Sequence, residues 1–63
     1  MAIQHEKLNQ YDVHVGHWHA LVAGRNSADA IEHARRRMYE DMPRLWDMIT
    51  KLGVDRFHVV ALS

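Results

Sequence analysis

The stretch Tyr11-Asp12-Val13-His14-Val15-Gly16-His17-Trp18-His19-Ala20-Leu21-Val22 decides the fold. Every second residue on either side of Gly16-His17 is apolar, which is the period of a strand with one buried face. A Gly-X pair suits a two-residue type II′ turn, because glycine accepts a positive φ without steric cost. A turn there sets the register. Val15 opposes Trp18, His14 opposes His19, Val13 opposes Ala20, Asp12 opposes Leu21 and Tyr11 opposes Val22. One face then holds Tyr11, Val13, Val15, Trp18, Ala20 and Val22, and a slip of one residue would scatter them. Turn chemistry and apolar pattern therefore agree on a hairpin over residues 6–23. Residues 1–5 read as a frayed arm.

Outward from the hairpin, Gly24-Arg25-Asn26-Ser27 is a loop. Asn26 or Ser27 can cap a helix, and Asp29 and Glu32 suit the positive end of its dipole. Ile31, Ala34, Met38, Met42, Leu45, Ile49 and Leu52 follow at helical intervals of three and four. Gly53 is a natural stop. Pro43 conflicts with one continuous helix, because it lacks an N–H and its ring crowds the carbonyl of Tyr39. The apolar stripe keeps phase across it, yet a helix over 27–52 would run about 39 Å beside strands of roughly 26 Å. A kink or break near Pro43 is expected. Residues 55–62, Asp-Arg-Phe-His-Val-Val-Ala-Leu, read as a third strand. It is easiest to place antiparallel to strand one, with Phe57, Val59 and Ala61 facing the core. The expected fold is α+β and runs strand-strand-helix-strand. A single-layer antiparallel three-stranded sheet of order 2-1-3 carries the helix on one face.

Sixty-three residues make one domain, spanning 1–63, and a core of this size is marginal alone. The chain has no cysteine, so disulfides and thiolate zinc sites are excluded, and good packing, a histidine-bound metal or a partner subunit remains. No apolar run exceeds four residues, as in Ala20–Ala23, so no membrane span is expected. The first residues lack the features of a secretory signal. A cytoplasmic protein is expected. Eight basic and eight acidic residues balance to zero, which does not favour nucleic acid or an anionic membrane.

Six histidines are the compositional outlier. The hairpin register puts His14 opposite His19 on the face away from the core, and the expected phase of strand three adds His58. Three converging imidazoles could hold zinc, nickel or copper, with Asp12 as a fourth ligand. They could also sense protons. The plainer expectation is a solvated histidine face.

Arg35-Arg36-Arg37 resembles a basic patch when read linearly, but successive helical residues diverge by about 100°. The spacings Glu32-Arg36-Glu40-Arg44, Arg37-Asp41 and Asp47-Lys51 suggest a salt-bridged helix face. A nucleic-acid accessory is therefore the third reading.

The helical segment carries more apolar surface than three strands can cover. Tyr39, Met42 and Trp46 mark a second stripe beside the first, and Met48 widens the other side. Exposed aromatics and methionines of this kind mark protein contacts. No nucleophile elbow, phosphate loop or paired-carboxylate motif is present. The leading expectation is thus a non-enzymatic interaction protein without a cofactor, homodimeric through the helix face, with Met38, Tyr39, Met42, Trp46 and Ile49 as the contact surface.

The sequence strand, tight turn, strand, helix opening Ser-Ala-Asp-Ala-Ile-Glu-His-Ala-Arg (27–35) and closing strand resembles small accessory proteins in outline. Among these are the small non-catalytic subunit of the phenylacetyl-CoA oxygenase complex and short phage-encoded inhibitors. The resemblance implies an accessory, regulatory or inhibitor role, and it carries over no functional residue.

Overall fold

The computed structural model describes residues 8–62. The segment 1–5, expected to fray, lies outside them. Strands β1 (Asn9–Val15) and β2 (Trp18–Gly24) form the hairpin, and every expected pair is present, from Val15 opposite Trp18 to Tyr11 opposite Val22. Gly16 has φ of 57°, and no other described residue has a positive φ, which matches the type II′ requirement at its first central position.

Helix α1 (Ser27–Asp41) begins at Asn26, whose side-chain oxygen accepts the Asp29 N–H at 2.8 Å. Asp29 reaches back to accept the Arg25 N–H at 2.9 Å, so two backbone donors at the helix start are satisfied reciprocally. Gly24 allows this turn to approach β2, because a Cβ there would lie 2.9 Å from the Ala30 nitrogen.

The helix breaks rather than kinks. Met42 leaves the helical region with φ −135° and ψ 64°, and Pro43 opens a single 3₁₀ turn, Pro43–Leu45. A residue before proline avoids helical geometry, and proline suits a first helical position, so Met42-Pro43 both ends one element and begins the next. Helix α2 (Trp46–Lys51) follows. Gly53 keeps a negative φ of −74° and so is no left-handed cap. The chain instead turns through a second 3₁₀ element, Val54–Arg56. Strand β3 (His58–Ala61) is accordingly shorter than expected at its start.

Strand β3 pairs antiparallel with β1, with Val13 opposite Val59 and His14 opposite His58, giving the order β2-β1-β3. The core lies between the sheet and α1 and is formed by Tyr11, Val13, Ala30, Ile31, Ala34, Met38, Ile49 and Phe57. Ala61, expected to face that core, is exposed at the sheet corner. Among the described residues, no helix is long and apolar enough to cross a membrane.

Candidate functional site

The five residues expected to form a contact surface divide into two groups. Met38 and Ile49 are buried, at 1% and 0% exposure, and belong to the core. A stripe shared by α1 and α2 must have an inner side, and these two occupy it once the break lets α2 fold back on α1. The expected helix-face dimer therefore loses the centre of its apolar surface. Tyr39 and Met42 are half-buried, and Trp46 stands 61% exposed. The Tyr39 hydroxyl hydrogen-bonds with Thr50 Oγ1, and that hydroxyl donates to the Trp46 carbonyl at 2.8 Å. These bonds hold the exposed indole on a braced helix end rather than on a loop.

Arginine 35 is not part of a basic patch. Its guanidinium donates to the Ile49 carbonyl and, at 2.8 Å, to the Leu52 carbonyl, and it lies 5.0 Å from the centre of the Phe57 ring. It thus bonds two carbonyls at the end of α2 from a neighbouring helix, one of which, that of Ile49, also accepts the Leu52 N–H, while covering an aromatic face. Arg37 pairs with Asp41 at 3.9 Å and Lys51 with Asp47 at 3.2 Å, as their spacing predicts. The Glu40–Arg44 spacing spans the break, so it is no longer one helical turn.

The register brings His19, His14 and His58 into one row across the open sheet face. The three side chains share a row but are not gathered into a metal-holding cluster. His14 and His19 stack with centroids 5.3 Å apart and planes inclined by 21°. Ligand lone pairs lie in the ring planes, so stacked rings direct them side by side rather than to one point. His14 Nε2 also donates to Asp12 Oδ2 at 2.9 Å. Among the described residues, no three histidine or carboxylate side chains are arranged to hold a metal.

The open sheet face holds more apolar surface than the expected histidine face implied. Leu21 and Val60 flank Asp12 on either side. Leu62 continues the ladder by donating its N–H to the Gln10 carbonyl at 2.8 Å. All three apolar side chains are exposed, as is Leu8, two residues before Gln10. The register itself held the missing signal, because it sets Leu21 beside Asp12 on the outer face.

Asp29 has its carboxyl held below the ordinary carboxylate range. The Arg25 backbone N–H contributes most, desolvation opposes it, and the His33 and Arg25 charges assist. His33 sits beside it, with Nδ1 donating to the Ala23 carbonyl at 2.6 Å and Nε2 3.6 Å from Asp29. This cluster ties α1 to the end of β2.

Compared with known protein families, curated proteins and solved structures, the chain has no match among any of the three.

Proposed function

We propose that the chain is a non-enzymatic protein-binding module, an accessory or regulatory subunit that takes an apolar segment of another protein against Trp46. The exposed indole on a braced helix end carries this reading. Tryptophan offers a large contact area with little side-chain entropy to lose, and it is enriched among residues that dominate binding energy. Tyr39, Met42 and the exposed Leu45 stand beside it in the chain around the break and extend the apolar contact. The surrounding charges, Arg44, Asp47 and Lys51, are of both signs, as expected of a polar rim.

The test compares immobilised wild type, Trp46→Ala and Arg36→Ala in a native lysate. A partner retained by wild type and Arg36→Ala but released by Trp46→Ala is expected. Trp46→Ala itself should change stability by no more than about 0.5 kcal/mol, as for other exposed sites. Equal capture by all three proteins, or capture by none, overturns the reading.

A further inference from the structure

The sheet has two edges, and they differ. The Leu62 N–H donates to the Gln10 carbonyl, so Gln10, Asp12 and His14 turn their backbone groups toward β3, and the residues between them turn theirs toward β2. By the same alternation, His19, Leu21 and Ala23 point out of the β2 edge, and Val59 and Ala61 point out of the β3 edge. Helix α1 guards the β2 edge. His33 donates to the Ala23 carbonyl, Asp41 accepts from the Trp18 indole, and the stripe Asp29, His33, Arg37 and Asp41 sets charges along it. The β3 edge has no such guard. Residues 57–62, Phe-His-Val-Val-Ala-Leu, include no proline, glycine or formal charge. Val60 and Leu62 are each 53% exposed, and Ala61 is exposed although its phase faces the core. Val54 is also exposed and stands in a cleft with Ala28 and Ile31, on the side of α1 turned away from β2. Folds protect edges with charge, proline or cover, and a bare uncharged edge is a template for another strand.

We propose that β3 pairs antiparallel with β3 of a second copy, joining two sheets into one of six strands, at a surface separate from Trp46. Three observations select a second copy over a foreign strand. First, β3 carries no formal charge, so its own copy sets no like charges opposite one another. Second, Val59 and Ala61 present donors and acceptors in equal number, so the edge is complementary to itself. Third, β3 is the shortest strand and β1 is its single neighbour among the described residues, in a chain so small that oligomerisation is a usual remedy.

Hydrogen bonding selects the symmetry axis. An axis through Val60 sets Val59 of each copy opposite Ala61 of the other. The two pairs then use every outward N–H and C=O of Val59 and Ala61. An axis through Val59 would set Ala61 opposite Phe57, whose N–H already donates to the Val54 carbonyl, and would leave the Ala61 carbonyl unpaired. The Val60 axis also brings Val60 against Val60 on the open face, with Leu62 beside His58 of the other copy. Both copies use the same residues reciprocally, as a two-fold interface requires. Residues 58–62 at about 3.4 Å each make an edge of about 17 Å. Main-chain bonds supply the affinity in strand addition of this kind. The interface falls at the low end of sizes, so the dimer is reversible and concentration-dependent.

Analytical ultracentrifugation of the full chain across a concentration series tests the proposal, together with cysteine pairing in a chain that has no cysteine of its own. A monomer–dimer equilibrium is expected for wild type and Trp46→Ala alike. Ala61→Pro removes an outward N–H that makes no bond to β1, a change that edge strands tolerate. It should weaken the dimer at least about tenfold while leaving the circular dichroism spectrum intact. Val60→Cys places two thiols at the axis, in a non-hydrogen-bonded pair with Cα atoms about 4.5 Å apart, within disulfide range. Under mild oxidation it should form a covalent dimer at least about tenfold faster than Leu21→Cys, which is similarly exposed but lies on β2. If Ala61→Pro does not fold, the comparison of the two cysteine variants decides. A wild-type monomer throughout the series overturns the proposal and leaves the edge to a foreign strand. A dimer kept at full strength in Ala61→Pro, or equal crosslinking of the two cysteine variants, also overturns it. Each of these results leaves the Trp46 reading to stand or fall on its own test.

Discussion

Residues 9–41 and residues 42–61 reach the same core by different means. The first region is governed by local chemistry. Gly16 sets the turn, alternation sets the faces, and Asn26 and Asp29 start α1. The second region has two 3₁₀ turns, a helix of six residues and a strand of four. Elements so short cannot be stable through their own hydrogen bonds. They are held by side chains that reach the first region, chiefly Ile49, Phe57 and the carbonyls clamped by Arg35. Local signals can build half of a small domain, and tertiary anchors then position the remainder.

The largest expected effect tests that dependence at its centre. Ile49→Ala removes a side chain with no exposure from the wall between α2 and the core. Truncations of this kind cost about 2–5 kcal/mol, and in a domain of this size each kcal/mol moves the melting temperature by about 4–8 °C. A fall of at least about 10 °C is expected in calorimetry. A near-neutral Ile49→Ala would return Ile49 to the contact surface on which the helical stripe first placed it.

The same contrast explains what could be read in advance. The hairpin register was legible because two independent signals, turn chemistry and alternation, agreed on it. Helix α1 was legible through its cap and period. The state of the helix at Pro43 was not, because the stripe from Met38 to Leu52 keeps the same phase whether the chain kinks or breaks. The turn at Val54–Arg56 carries no distinctive residue, so Asp55 and Arg56 read as strand. At the candidate site, periodicity put Met38, Ile49 and Trp46 together but could not say which side another element would cover. The histidine row was placed correctly by register. The stacking of His14 on His19 and the bond from His14 to Asp12 were not legible, because ring orientation depends on side-chain packing. Leu21 and Val60 were passed over because the polar residues of that face drew the reading.

The second prediction separates the two regions. Arg35→Ala removes the donors that α1 supplies to the end of α2. Hydrogen bonds from a charged group contribute about 1.5–3 kcal/mol. A loss of that size is expected, and it should be unevenly distributed. Amides in 46–58 should lose hydrogen-exchange protection sooner than those of β1 and β2, which Arg35 does not touch. Arg36→Ala, the adjacent control, should leave both regions unchanged. Uniform loss across the sheet in Arg35→Ala would show that the two regions unfold as one and would undo the contrast.

The smallest effect lies within the first region and depends on pH. The Asp29 carboxyl titrates below its ordinary value in the folded chain, mainly because the Arg25 N–H bonds to the ionised form. A carboxyl with a depressed folded value adds stability above its unfolded value, near about 3.9, and loses it as pH falls through the folded value. Wild type should therefore melt above Asp29→Asn by a constant margin at neutral pH. That margin should shrink as the pH is lowered through the acid range and vanish once both forms are protonated. The charge of His33, beside Asp29, is a smaller contributor to the same lowering. Repeating the series in His33→Gln isolates the contribution of the backbone bond. A margin that does not change with pH in either background would mean that Asp29 acts as a neutral cap and that charge plays no part in joining α1 to β2.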